Sequence, residues 1–429
     1  MPICVKCPIE KQVERVSVLI QCPTDVLTGR TTSLLAQDLA DHAQALNLAL
    51  NASSVLVIGG AGSIGSETVL RLADFPLKSL TIVDQDENGL TRLMRRLRGR
   101  TTPPATKTIS TLPLDFGSPL FFQAAEALAP FDYVLNFAAL KHVRSERDVW
   151  SILRMMETNI LFPDRLIDWL TTHSPNCRYF SVSTDKAANP VSFMGATKRL
   201  MEHITFRSRE PTGLSRGQTS ARFANVAYSQ GSLLESFVDR LNTGVPLAAP
   251  KDISRFFMTL PEAGEFCLLS GVIGQSGKIY IPDLDPAEHL VTMEAAAIGF
   301  LNANGFAPEV FALEDEKTAF ADLAALRSEN RWPLILTPSD TSGEKPYEEF
   351  AGAHETPISD IFTALRANPY STELSDDQIA SLVRKISDAT RGKSAKPPGE
   401  AQLKTWVADL EPAFREAHIA SDKSLDDRI

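Results

Sequence analysis

Val55-Leu56-Val57-Ile58-Gly59-Gly60-Ala61-Gly62-Ser63-Ile64-Gly65 is the stretch on which the fold turns. Four unbroken apolar residues describe a strand buried on both faces. The glycines after it are spaced Gly59-x-x-Gly62-x-x-Gly65, and Ile64, Thr68, Val69 and Leu72 carry on at helical spacing. A strand that runs through such a turn into a helix lets backbone N–H groups reach a pyrophosphate. Ser63, Ile64 and the three glycines are therefore the candidate phosphate cradle. The alternative is a glycine-rich turn that merely packs. The next apolar run, 80–83, ends in Asp84. It lies about twenty residues on, the offset at which an acid meets the adenosine ribose. A carboxylate there repels a 2′-phosphate, and no arginine follows before Arg92, so NAD is expected over NADP.

Outward from this stretch, strand and helix alternate. Further strands are expected at 108–114, ending in Asp115, and at 133–137, ending in Ala138-Ala139. Two more are expected at 177–182 and 220–226. Helical patterns separate them at about 88–99, 117–128 and 146–172. Alternation of this kind means an α/β fold with a Rossmann-type, doubly wound parallel sheet. Asp115 reads either as a cap on the adenine or as a turn-forming Asp before Gly117. Residues 1–50 form an expected helical arm, packed on the main domain or on another subunit. Residues 51–226 are the dinucleotide-binding domain. Beyond 227 prolines punctuate shorter elements, and 227–387 is expected to be a smaller substrate-binding lobe. Residues 388–402 are polar and rich in Pro and Gly, a linker ahead of one amphipathic helix at 403–418, which completes a terminal segment 388–429.

The fifth strand ends in Ser183-Thr184-Asp185-Lys186, followed by Asn189-Pro190 and Met194-Gly195-Ala196-Thr197-Lys198. Open α/β sheets bind ligands at strand carboxyl ends. A hydroxyl, an acid and a base in sequence suit proton transfer there. The bland readings are an N-cap for Asp185, a solvated Lys186 and a helix-face charge at Lys198.

The chain has 429 residues with 43% apolar and 22% charged content, as soluble globular proteins do. Its formal net charge of −10 argues against a nucleic-acid surface. No apolar run reaches the length of a bilayer span, and the first residues lack a signal-peptide core. A cytoplasmic protein is expected. Cys4-x-x-Cys7 and Cys22 lack a fourth nearby ligand, so no metal is expected.

Taken together, Gly59 to Gly65, Ala138 to Val143, Ser183 to Lys186, Asn189-Pro190 and Met194 to Lys198 resemble the nucleotide-sugar 4,6-dehydratases of polysaccharide biosynthesis. These belong to the extended short-chain dehydrogenase/reductase superfamily, and their best-known members act on UDP-N-acetylglucosamine. The likeness extends to Asp25-Val26-Leu27-Thr28-Gly29-Arg30, Arg222 to Val226, Arg255 to Thr259 and Gly343 to Glu349. It implies a hydride taken from C4 of the sugar, loss of the C5 proton, departure of water from C6 and return of the hydride to C6. By this resemblance Asp185 protonates the leaving hydroxyl, Lys186 is the base at C5, Thr184 bonds the C4 oxygen, and Lys198 holds the nicotinamide ribose. Ala138 and Ala139 border the cofactor. Lys141, with His142 beside it, Met194, Asn225, Arg255 and Glu344 border the substrate. A homo-oligomer and a UDP-linked sugar are implied.

Two departures stand out. Met194 occupies the position where the superfamily commonly has a Tyr, so another group, Asp185 or a water, must deprotonate the C4 hydroxyl. Thr341-Ser342 stands where the family usually has Arg-Pro, an arginine expected to help bind UDP. Arg255 is then the candidate partner of the diphosphate, with Asn225 as a donor. A nucleotide-sugar epimerase or 4-ketoreductase is the competing enzyme reading. A cofactor-binding regulator or scaffold is the non-catalytic one.

Overall fold

Every residue of the first strand, β1 (Ser54–Ile58), is buried. Val55 and Val57 enter one core while Leu56 and Ile58 enter the other, as strand alternation demands. The computed structural model describes residues 20–141, 146, 148–209, 213–338, 347, 349–392 and 396–418. Cys4, Cys7, His142, Thr341-Ser342 and Glu344 lie outside the described residues. Among the described residues no helix is long and apolar enough to cross a membrane.

The strands that follow β1 are β2 (Ser79–Val83), β3 (Ile109–Leu112), β4 (Tyr133–Asn136), β5 (Arg178–Thr184), β6 (Gln218–Phe223) and β7 (Asn225–Val226). Next come β8 (Leu247–Pro250), β9 (Ser254–Met258), β10 (Lys278–Pro282), β11 (Leu290–Thr292), β12 (Ala307–Ala312) and β13 (Arg331–Thr337). β14 (Ile358–Ser359) and β15 (Leu365–Pro369) complete the set. The main sheet has nine strands in the order β14-β15-β10-β6-β5-β4-β1-β2-β3. Seven run parallel from β10 to β3, and at one edge β15 pairs antiparallel with β10 and β14 antiparallel with β15. The α/β, Rossmann-type fold expected from the alternation is the fold observed. The chain winds outward from β1 to β3, then returns to the other side of β1 as β4. The carboxyl ends of β1 and β4 therefore splay apart, and that crevice is where such sheets take ligands.

Several elements differ from the periodicity. The expected strand 220–226 splits at Ala224: β6 stays in the main sheet, whereas β7 leaves it to pair with β9. The expected helix 146–172 carries a wide π turn at Glu157–Leu161. Pro163 lacks the N–H that would bond the carbonyl one turn back, so the turn opens. The expected helix 403–418 is two helices, Glu400–Ala408 and Pro412–Ala417, because Pro412 cannot continue the first. Within 227–387, β10, β14 and β15 lie in the main sheet. β8, β12 and β13 form a separate parallel sheet, and β11, β9 and β7 a third.

The N-terminal segment is held by buried charge. Arg30 pairs with Glu262 through Nε (3.1 Å) and Nη2 (2.9 Å), and Leu34 N–H donates to the same carboxylate (2.8 Å). Leu35, Leu46 and Leu50 enter the core below β1. On the opposite face, helices Val149–Met156, Phe162–His173 and Phe193–Phe206 are covered by Asp376–Thr390 and the two terminal helices.

Candidate active site

A cleft of about 680 Å³ opens over the carboxyl ends of β1, β4 and β5. Its wall takes in every described residue nominated above for cofactor, catalysis or substrate, except Arg255.

The glycine-rich turn is shaped by sterics. Gly59 has φ +74°, and a Cβ there would lie 2.6 Å from Ala138 N. A Cβ on Gly65 would overlap the carbonyl oxygen of Gly59, so only glycine lets the helix Ser63–Leu72 pack this near to β1. At Gly62 the nearest atom to a Cβ would be 3.5 Å away, an ordinary contact without a clash, and the residue borders the cleft. The first N–H groups of a helix lack intrahelical partners, and here they line the cleft. Asp84 props the turn from beneath. Its Oδ2 accepts from Ala61 N–H (2.9 Å) and its Oδ1 from Asp86 N–H (3.0 Å).

Asp115 makes the turn bond: its Oδ1 accepts from Gly117 N–H (2.9 Å), while Arg154 pairs with Oδ2 (2.9 Å). It still borders the cleft, beside Phe116 and Thr158. Thr158 was not legible beforehand: it is buried on the π turn, and its Oγ1 has no hydrogen-bond partner among the described residues. Ala138 follows Asn136, whose Oδ1 accepts the Ala138 N–H (3.0 Å).

Opposite the glycines, β5 delivers the polar triplet. Thr184 Oγ1 donates to Asp185 Oδ1 (2.6 Å). The same oxygen accepts from Lys186 N–H (2.8 Å) and lies 3.4 Å from Lys186 Nζ. Asp185 is buried and Lys186 half-buried, so the carboxylate is gripped while the amine edges the cleft. The next helix, Phe193–Phe206, starts at Ser192, whose hydroxyl caps Gly195 N–H (3.2 Å). Met194 and Lys198, one turn apart, line the cleft. Lys198 is buried, and its Nζ donates to Val182 O (2.6 Å). Burial pulls its amine down from the ordinary lysine value to about 7, against a smaller upward pull from the Glu202 carboxylate.

At the far end, Asn225 Nδ2 approaches Phe256 O (3.4 Å). Asn225 lines both the main cleft and an adjoining cavity of about 160 Å³, in which Arg255 stands buried with Ser232, Phe257 and Met293. The peptide of Gln230 bridges the two sides. Its N–H donates to Ser63 Oγ (2.9 Å), and its carbonyl accepts from Lys141 Nζ (2.9 Å). No sequence signal marks Gln230 beyond the Gly231-Ser232 pair ahead of the helix Leu233–Thr243.

Residues 55–314 match the model of the family described as polysaccharide biosynthesis protein. A 245-residue stretch is 26% identical to the capsular polysaccharide biosynthesis protein CapD of Staphylococcus aureus, covering 57% of this chain and 40% of that protein. A 236-residue stretch is 25% identical to the UDP-glucose 4-epimerase of Rickettsia akari, covering 53% of this chain and 65% of the relative. Among solved structures, the fold resembles the dTDP-glucose 4,6-dehydratase DesIV of Streptomyces venezuelae, crystallised with NAD. The TM-score is 0.52 and the identity 17%, over 80% of this chain and 99% of that one. The chain spans 40 to 66% of the length of the first curated relatives it matches.

Proposed function

The chain belongs to the polysaccharide biosynthesis protein family, and we propose that it is an NAD-dependent nucleotide-sugar 4,6-dehydratase acting on a UDP-hexose, UDP-N-acetylglucosamine above all. The observation that carries this reading is the Thr184–Asp185–Lys186 triplet, facing the glycine-rich turn across one cleft.

Gly62 at the cleft wall, the helix start at Ser63 and the Asp84 carboxylate fit a dinucleotide. NAD, when bound, supplies the reversible hydride acceptor. The protein's own groups handle the protons. Thr184 Oγ1 already donates its hydrogen bond to Asp185 Oδ1, so its lone pairs are left to accept from the C4 hydroxyl, and as that proton arrives the Thr184 proton passes on to Asp185. The proton so gained by Asp185 is the one needed at the departing C6 oxygen. Lys186 Nζ removes the C5 proton, made acidic by the C4 ketone, and its ammonium, which exchanges with solvent, later delivers a proton to C5. The net loss is one water, built from the C6 hydroxyl and the C4 hydroxyl proton. This relay supplies the proton transfer that Met194 cannot. Asn225 and the buried Arg255 would hold the diphosphate, with Lys141 at the rim.

The epimerase reading draws on relatives such as the Rickettsia enzyme, but it gives Asp185 and Lys186 no task. The scaffold reading draws on Met194 and on Thr341-Ser342 in place of the family's Arg-Pro, but it too gives the Asp185–Lys186 pair no task. Lys186→Ala and Asp185→Asn test the assignment. Each should cut water elimination by about 10²–10⁴-fold, the usual worth of a positioned acid or base, with NAD still bound. Near wild-type elimination by either variant would remove the pair from the mechanism.

A further inference from the structure

Behind the Asp185–Lys186 pair runs a chain of buried charges that touches no reacting atom. Ser183 Oγ donates to Glu202 Oε1 (2.6 Å). Glu202 is fully buried and takes the Arg222 guanidinium two-pronged, Nε to Oε1 and Nη2 to Oε2, both at 2.8 Å. Arg222, also fully buried, is the register partner of Ser183 across β5 and β6. Its other edge reaches Glu355, with Nη2 2.8 Å from Oε1 and Nη1 2.5 Å from Oε2. Arg199 joins both carboxylates, at 3.1 Å to Glu202 and 2.6 Å to Glu355.

Glu355 belongs to a segment laid across the loop that follows Lys186. Gly352 passes so near that a Cβ on it would lie 2.6 Å from Ala188 O, and Gly352 N–H donates to Glu355 Oε2 (2.7 Å). Asn189 Nδ2 donates to Glu349 Oε2 (3.2 Å). Buried ion pairs give little net stability, and their best-attested use is to fix a register. Burial pushes the Glu355 carboxyl up, but the hydrogen bonds and charges of Arg222 and Arg199 hold it at about 2. It therefore stays ionised through the neutral range.

We propose that Glu355, acting through Arg222 and Glu202, is a positioning residue for the Asp185–Lys186 pair. It fixes the strand end at Ser183 from one side and the turn at Ala188 from the other. The role rests on Asp185 and Lys186 being the reacting groups. The test compares Glu355→Gln, Ser183→Ala and the double variant. Two readouts are taken: the rate of water elimination, and the ¹³C signal of reductively methylated Lys186, assigned with Lys186→Arg. Each single variant should lower kcat about tenfold with NAD affinity unchanged, and should move the Lys186 signal. Residues of one network are non-additive, so the double variant should lose well short of the roughly hundredfold product. Should Glu355→Gln fail to fold, Glu355→Asp takes its place. Singles within twofold of wild type, a multiplicative double, or an unmoved Lys186 signal would overturn the proposal. If the wild type dehydrates no nucleotide sugar, the dehydratase reading fails. The Lys186 signal alone then decides the positioning role.

Discussion

Lys198 Nζ stands 2.6 Å from the carbonyl oxygen of Val182. The helix that carries Lys198 thereby grips β5 one residue before Ser183. One turn further, Glu202 grips Ser183 itself. The strand end that presents Thr184, Asp185 and Lys186 is thus held at two successive residues.

This burial makes Lys198 a titrating group near neutrality. Its folded value, about 7, lies below the ordinary lysine value of 10.5. The unfolded chain therefore holds the proton more tightly across that window, and this group's contribution makes stability rise as pH climbs from about 7 to 10.5. The ammonium charge offered to a nicotinamide ribose is lost over the same rise. Cofactor affinity should fall above pH 7 in the wild type and stay flat in Lys198→Arg, whose charge does not titrate. Parallel profiles for the two would place Lys198 outside the cofactor site.

The glycines separate folding from binding. Gly65→Ala must push a methyl into the Gly59 carbonyl, so a loss of about 1–3 kcal/mol in denaturant stability is expected, together with loss of cofactor. Gly62→Ala meets nothing nearer than 3.5 Å, so it should fold at wild-type stability and bind the dinucleotide more weakly. Equal destabilisation of both variants would mean that Gly62 packs rather than binds.

Asp84 uses both oxygens on backbone N–H groups of its own turn. Asp84→Ala should weaken NAD and narrow the preference over NADP, because the repelling carboxylate is gone. A titration with unchanged preference would assign Asp84 to the turn alone.

Arg30 and Glu262 join the N-terminal segment to the helix Leu260–Leu268. Arg30→Ala leaves a carboxylate buried and short of its cation. A loss of about 3 kcal/mol in urea unfolding follows from the cost of breaking a buried pair. A loss below about 1 kcal/mol would make the pair behave like a surface contact.

What was legible in the sequence was local. β1 and its turn could be read because an unbroken apolar run and three glycines leave one conformation open to them. The place of the triplet at the end of β5 could be read because a short apolar run leads straight into it. The lobe boundary could not. β10 and β15 rejoin the main sheet through partners far along the chain, and pairing across such distances leaves no periodic mark. Ala224, where β6 gives way to β7, carries no turn signal. Nothing in the pattern around Glu202 and Arg222 names their partners, which come from other elements. The one hint was Glu202, four residues after Lys198 and so on the same helix face.

The central claim is an elimination driven by a borrowed hydride. It is tested most directly by incubating the protein with UDP-N-acetylglucosamine and catalytic NAD in deuterated water and following the sugar by mass spectrometry. The account predicts a product that has lost one water and carries one solvent deuterium at C5, which adds one mass unit back, with the cofactor unchanged at the end. An isomer of unaltered mass inverted at C4, or net conversion of NAD to NADH, would contradict it.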